Sequence, residues 1–283
     1  MSGAGSAPPE GADFVAVGHV TIDMLADGTR RAGGTVLYAA VQAARLGARA
    51  VILTRGVPEE IEGALGGLLE EVELVIDAAP ETTTLQTTGT GLERRQRVLA
   101  WAGPIAPRPL RARVVHLAPV ARELASGWDA MHADLVGITA QGLVRRWDGL
   151  GDELSSDGGP DAAAVDLASR CDALVVSEQE RASGAQLIDA ALARGATVAV
   201  TAGASPTTVL TAQGAQILPV ARRPAPVDDL GAGDVFAAAL FLALARGAGS
   251  AEAVSFAHAA AAVRVRGVGP GAIGDEAAIA AEL

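Results

Sequence analysis

Apolar residues along this chain recur in two rhythms. Short runs rich in Val, Ile and Leu fall at "DFVAVG" (13–18), "AVILT" (50–54), "VELVI" (72–76), "VVHLA" (114–118), "DLVGI" (134–138), "ALVVS" (173–177) and "TVAVT" (197–201). Their near-continuous apolar character is that of strands buried on both faces. Between them, Ala- and Leu-rich stretches predict helices at 35–46, 58–70, 120–132, 161–170, 179–194, 232–246 and 250–265. Regular alternation of the two predicts an α/β fold, a mostly parallel central sheet with helices on both faces, in a single domain over 1–283. Right-handed crossovers bring the strand C-terminal ends to one edge, where such sheets usually take ligands.

Two stretches break the alternation. Residues 82–101, "TTTLQTTGTGLERRQRVLAW", predict two strands around a Gly-containing turn with no helix between them. Such a hairpin is either a flap over a site or an edge of the main sheet. Residues 149–160, "GLGDELSSDGGP", read as a solvated loop rather than a linker between domains.

The predicted helix 232–246 is apolar around its whole circumference, "VFAAALFLALA", and should be buried. Yet Asp228, Asp229 and Asp234 crowd its start, around Gly231, Ala232 and Gly233. The first amides of a helix lack intrahelical partners and carry about half a positive charge, so a turn of small residues there suits a phosphate. Ordinary helix capping would also place an acid in the first turn. Three acids at one end of a buried helix favour a use for them.

Composition removes whole classes of function. The chain has no lysine and no asparagine. Without lysine there is no Walker-A loop, Schiff-base or pyridoxal-phosphate chemistry, nor a protein kinase of the usual kind. A formal net charge of −11 argues against nucleic-acid and anionic-membrane surfaces. The longest apolar run, Val235 to Ala245, falls short of the roughly 18–20 residues that span a bilayer. The start "MSGAGSAPPEGAD" has no basic or apolar export region, and the lone Cys171 allows no intramolecular disulfide, so a cytoplasmic location is expected. "GPGAIG" (269–274) fits a dinucleotide fingerprint, but the nine residues after it leave no room for the rest of that unit.

The segment "DDLGAGD" (228–234) resembles the Asp-Thr-x-Gly-Ala-Gly-Asp signature of the ribokinase-like (PfkB) family of carbohydrate and nucleoside kinases, with Asp229 where Thr is usual. The order and spacing of other segments resemble that family over nearly the entire chain. The resemblance implies a ribokinase-like fold and transfer of phosphate from ATP, with Mg2+, to a hydroxyl of a sugar, inositol-like polyol or nucleoside. Asp234 would be the base, and the amides of Gly231, Ala232 and Gly233 the anion hole. Phosphoryl transfer asks for positioning and charge stabilisation more than covalent chemistry, and preorganised amides supply them.

On the acceptor side the resemblance makes Asp23, in "GHVTID", the acid that holds substrate hydroxyls; a turn or helix cap is the structural alternative. Gly33 and Gly34 would bring backbone close to the substrate, and Tyr38 stands where Asn is frequent, either stacking on a ligand or packing in the core. Gln141 and Arg145, in "AQGLVRRWD", would meet substrate or phosphate, or make a surface salt bridge. Only nine residues separate Asp23 from Gly33, which implies a small, truncated β lid with 82–101 as its main part, and a monomer or homodimer.

On the donor side Glu180, in "SEQE", would serve magnesium, with Ser177 in place of an Asn. Thr201 and Gly203 resemble the nucleotide loop, with Pro206 in place of a Gly. His258 falls where a neighbour of adenine is expected, or packs its helix. Asp228 and residues 264–270 would frame a monovalent-cation site. The departures at Asp229, Ser177, Pro206 and Tyr38 leave a second reading, a catalytically weak member that binds small molecules or regulates. An NAD-dependent enzyme is a third.

Overall fold

Every one of the seven predicted strands forms, and each takes its place in one large sheet. The computed structural model describes residues 11–222 and 224–283, so most of the stretch read for an export signal lies outside the described residues. In chain order the first half has β1 (Phe14–Val17), β2 (Thr21–Leu25), β3 (Arg30–Gly33), α1 (Thr35–Arg45), β4 (Ala50–Gly56), α2 (Pro58–Leu65), β5 (Glu73–Ala78), β6 (Thr84–Thr88), β7 (Arg95–Ala100), β8 (Leu110–Arg111) and β9 (Val114–Leu117). There follow β10 (Met131–His132), β11 (Leu135–Thr139), α3 (Gln141–Val144), α4 (Ala162–Ala168), β12 (Ala173–Ser177), α5 (Ala185–Arg194), β13 (Thr197–Ala202), β14 (Ser205–Thr211), β15 (Gly214–Leu218), α6 (Ala232–Ala245), α7 (Ser250–Arg264) and α8 (Glu276–Ala280).

The large sheet runs β15-β14-β13-β12-β11-β9-β1-β4-β5. Its strands are parallel from β13 to β5, and the β14–β15 hairpin continues it antiparallel. Successive residues of a strand face opposite sides, so each strand feeds two cores. Phe14 and Ala16 pack with α1, α6 and α7, whereas Val15 and Val17 pack with α4 and α5. Helix α6 lies between α1 and α7 with Val235, Ala237, Leu240 and Phe241 fully buried, which is why it is apolar all round.

The predicted helix 120–132 does not form. Arg122 adopts a left-handed φ of 54°, and the buried Glu123 carboxylate accepts the amides of His19, Val120 and Ala121. A side chain that captures local amides competes with the helical ladder. The predicted helix 58–70 is α-helical only to Leu65, where Gly66 takes φ 53° and a 3-10 turn follows. The predicted helix at 179–194 starts later, at Ala185.

A second sheet of four strands, β3-β2-β6-β7, lies over the ligand edge of the first. The 82–101 hairpin belongs to it and not to the main sheet. The lid is therefore not truncated between Asp23 and Gly33. The nine residues suffice because Asp27-Gly28 makes a tight turn, with the Gly28 amide on the Leu25 carbonyl (2.9 Å) and the Thr29 amide on Asp27 Oδ1 (2.9 Å). An Asp-Gly pair is a strong hairpin signal. The 149–160 loop is irregular but pinned along β7, where Leu154 donates to Gln96 (2.7 Å) and buries its side chain against Leu85 and Val98.

Candidate active site

Between the two sheets lies a cavity of about 250 Å³. Thr139, Ser177 and Thr201, at the C-terminal ends of β11, β12 and β13, line one side, and the lid residues Asp23, Leu85, Arg94 and Gln96 line another. The N-terminus of α6 opens into it with Gly231, Gly233 and Asp234.

Gly231 caps α6 in the left-handed region, with φ 83°. A Cβ there would stand 2.2 Å from Tyr38 Cδ1, so the turn and the Tyr38 ring are in contact. Tyr38 itself is 1% exposed and packs in the core, with its hydroxyl unpartnered and its phenol pushed up to about 12 by burial. It also borders the cavity, so packing in the core does not remove it from the site. Among the described residues, the Gly231 and Gly233 amides have no backbone acceptor, whereas the Ala232 amide donates to the Asp229 carbonyl (3.3 Å). Ala232 does not border the cavity. Of the three amides expected from the sequence to form a hole, those of Gly231 and Gly233 are therefore the two left without a backbone acceptor at the cavity.

Asp234 is half-buried, lines the cavity and makes no ion pair among the described residues. Burial pushes its carboxyl up to about 6; the Thr35 hydroxyl and Arg145 oppose that shift, and Glu180 adds to it. Asp23, 2% exposed on β2, is likewise pushed by burial to about 6, against a hydrogen bond from Thr21 (2.8 Å) and the charges of Arg31, Arg145 and Arg94. It is no cap. Gly33 on the paired strand makes room for it, since a Cβ there would lie 2.2 Å from Asp23 Oδ2. Gly34 also borders the cavity.

Arg145 forms no surface salt bridge. It is 7% exposed, lines the cavity, and donates to the Val120 carbonyl (3.0 Å) and Gln96 Oε1 (3.0 Å), leaving Nε unpartnered. Burial lowers its pKa, against the surrounding carboxylates of Glu180, Asp234, Glu123 and Asp23. A buried cation without a contacting carboxylate favours an incoming anion or hydroxyl-rich ligand. Gln141 borders the cavity beside it, within reach of Thr35 Oγ1 (3.4 Å), although α3 is one turn long and ends before Arg145.

The two adjacent acids bind the lid. Asp228 accepts from Arg31 of β3 (3.0 Å), and Asp229 accepts from the Gly91 amide (3.0 Å) and pairs with Arg94 in the β6–β7 loop. Burial works against the Asp228 charge, but the amides of Leu230 and Gly269, with Arg31 and Arg264, bring its carboxyl down to about 2. Asp228 does not line the cavity. Replacing Asp229 with Ala removes both of its ties. Partly exposed pairs contribute up to about 1 kcal/mol, so a ligand held under the lid is expected to bind about fivefold more weakly. Titration calorimetry checks this, and unchanged affinity would mean that these ties do not hold the lid down.

Glu180, 8% exposed, faces the cavity and holds the Ser177 amide through one oxygen (3.1 Å). Of the other donor-side residues expected from the sequence, Ser177 and Thr201 line the cavity with it. Gly203 sits in the exposed β13–β14 turn. His258 is turned to Thr207 (Nε2 to Oγ1, 2.8 Å) and Phe236 (centroids 5.3 Å apart), so it packs its helix. Arg94 and Gln96 were not anticipated. The run "LERRQR" announces charge, but nothing local says which of its side chains turn inward.

Residues 156–277 match the model of the pfkB family carbohydrate kinases. A comparison with the curated proteins finds no significant match. Solved structures with the same fold include the nucleoside kinase of Methanocaldococcus jannaschii, an archaeal ribokinase-family member, at 17% identity and TM-score 0.75, covering 95% of this chain and 97% of that one. A pyrophosphate-dependent kinase in the ribokinase family, complexed with a pyrophosphate analog and myo-inositol, is similar at 20% identity and TM-score 0.72 over 91% and 96%. Arabidopsis thaliana ribokinase, complexed with ribose and ATP, is similar at 18% identity and TM-score 0.69 over 96% and 98%. The signature turn at the mouth of α6 lies inside the matched segment, which spans less than half of the chain, and the fold shared with ribokinase-family kinases extends over nearly its whole length.

Proposed function

We propose that this kinase transfers a phosphoryl group to a hydroxyl of a small polyol, sugar or nucleoside, with Asp234 as the base. The observation that carries the reading is that Asp23, Asp234 and the free amides of Gly231 and Gly233 line one cavity. Asp23 accepts hydrogen bonds from acceptor hydroxyls, while Gln141 and Arg145 orient the same molecule from the side. Asp234 takes the proton of the attacking hydroxyl as the new P–O bond forms. The Gly231 and Gly233 amides, at the positive end of α6, bind the equatorial oxygens of the migrating group, with Arg94 above them. Lid strands β2, β3, β6 and β7 exclude water from the transfer.

Among the described residues no group of three or more His, Cys, Asp or Glu side chains is placed to hold a metal. That suits magnesium, which usually takes one or two carboxylates and completes its shell with water and substrate phosphates. Glu180 has one carboxylate oxygen beyond its tie to Ser177 and would hold it; the ion supplies charge neutralisation on the donor phosphates.

ATP is the donor expected of the family. A pyrophosphate donor is the second reading, favoured because Gly203 and His258, two residues expected beside a nucleotide, do not border the cavity, and His258 is taken up by Thr207 and Phe236. The test is a panel of sugars, inositols and nucleosides with Mg2+ and either ATP or pyrophosphate, followed by phosphate-ester detection. Turnover with one donor identifies it. A panel silent with both donors overturns the kinase reading and returns the binding-protein alternative. The departures behind that alternative have structural roles here: Asp229 ties the lid, Tyr38 packs under the turn, and Pro206 lies within β14. No helix among the described residues is long and apolar enough to cross a membrane.

A further inference from the structure

The place where Asp228 and residues 264–270 were expected to frame a monovalent cation is filled by the protein itself. Arg264, the last residue of α7, is 0% exposed. Its Nη1 donates to the carbonyls of Gly267 (2.9 Å) and Asp228 (3.2 Å). Its Nη2 donates to the Leu230 carbonyl and, at 3.2 Å, to Asp228 Oδ2. Three carbonyls and a carboxylate gathered around one guanidinium are the kind of oxygen set a potassium-sized ion takes. Here each of those oxygens already accepts from a guanidinium.

The charge balance points the same way. Asp228 carries one negative charge and faces two guanidiniums, Arg264 and Arg31, both within 3.2 Å. A further cation would meet net positive charge in a poorly solvated place, where repulsion is strong. The residues do not fit a bound monovalent ion.

We propose that Arg264 is a tethered replacement for that ion and that it positions the anion-binding turn. The inference rests on the kinase reading above. A peptide group is planar and trans, so its carbonyl and amide hydrogen point in opposite directions. With the Leu230 carbonyl held by Arg264, the amide of Gly231 on the same peptide is directed away from Arg264, towards the cavity it lines. Arg264 also stacks over the Tyr38 ring, 5.2 Å from its centroid, and that ring supports Gly231. Arg264 does not border the cavity, so it is a positioning residue with no contact to substrate.

The experiment exchanges the protein into a choline buffer and adds K+, Na+ or Cs+ at constant ionic strength. Wild-type turnover and thermal midpoint are expected to stay flat across the series. Arg264→Ala is expected to lose turnover by about 100-fold, the scale of one displaced oxyanion-type donor, and to lower the midpoint. Potassium or guanidinium should restore both saturably in that variant, and Arg264→Lys should respond less to added cations because its own ammonium already occupies the same oxygens. A wild-type requirement for K+, or a wild-type midpoint raised by K+ over choline, would overturn the proposal. So would an Arg264→Ala protein with full turnover, or one whose loss answers to no added cation. If Arg264→Ala does not fold, the wild-type series decides. If no acceptor turns over, the kinase reading has failed separately, and the cation response of the midpoint still tests the replacement.

Discussion

Asp234→Asn is expected to lower kcat by about 10²–10⁴-fold, the usual contribution of a positioned base, while the donor still binds. Asn keeps the shape and removes the proton acceptor. The same change is expected to stabilise the folded protein at pH 8. Burial raises the Asp234 carboxyl from 3.8 to about 6, so the folded state favours its protonated form. The stability that form contributes is complete below pH 3.8 and is lost as the pH rises through about 6. Removing the charge should therefore recover up to about 3 kcal/mol at alkaline pH and nothing below pH 4. Denaturation of both proteins at pH 4 and pH 8 measures the difference.

The pH–rate profile follows from the same shift. Both Asp234 and Asp23 must be ionised, one to take a proton and the other to accept hydroxyl bonds, and both lie near 6. Wild-type kcat/KM should fall below about pH 6 with a slope steeper than one proton, because both carboxyls must have lost theirs and both titrate near 6. Wild-type-like turnover in Asp234→Asn, or a profile flat from pH 5 to 8, would remove Asp234 from the mechanism.

Gly231→Ala is the second large effect. Alanine at φ 83° costs about 1–2 kcal/mol. Its methyl would also stand 2.2 Å from a Tyr38 ring carbon, and forcing a methyl into a packed site costs about 1–3 kcal/mol. The turn can relieve that clash only by moving, and the Gly231 amide then leaves its aim, for an expected loss of about 10²–10³ in kcat. Gly233→Ala is the control, since its Cβ would meet nothing within 4 Å. It should keep full stability by denaturation and act only through the cavity, on the donor KM. Equal stability in the two variants would mean that Tyr38 does not brace the turn.

Periodicity alone was sufficient for the six inner parallel strands and for α6, because burial on both faces of a sheet or all round a helix leaves an apolar run that no surface element would carry. The edge strand β5 is only half-buried and was read from its β-branched residues. The β2–β3 hairpin was also written locally, in Asp27-Gly28, whose tight turn lets nine residues hold both strands. The 120–132 stretch has helical composition, yet the long-range hydrogen bond from His19 to Glu123 helps hold it open. Local preference yields wherever a distant partner binds a side chain more strongly.

The signature turn and its acids stood out from residue type and order, since helix-end amides and small residues imply an anion wherever they occur. The partners of those acids did not. Asp229 meets Arg94 and Gly91, Asp228 meets Arg31 and Arg264, and Arg145 meets Gln96, across separations of 36 to 197 residues. Neither charge pattern nor spacing encodes such pairings. They exist because crossovers of the main sheet return the chain to the same edge beneath a second sheet, and packing there determines which arginine is buried and which carbonyl it holds.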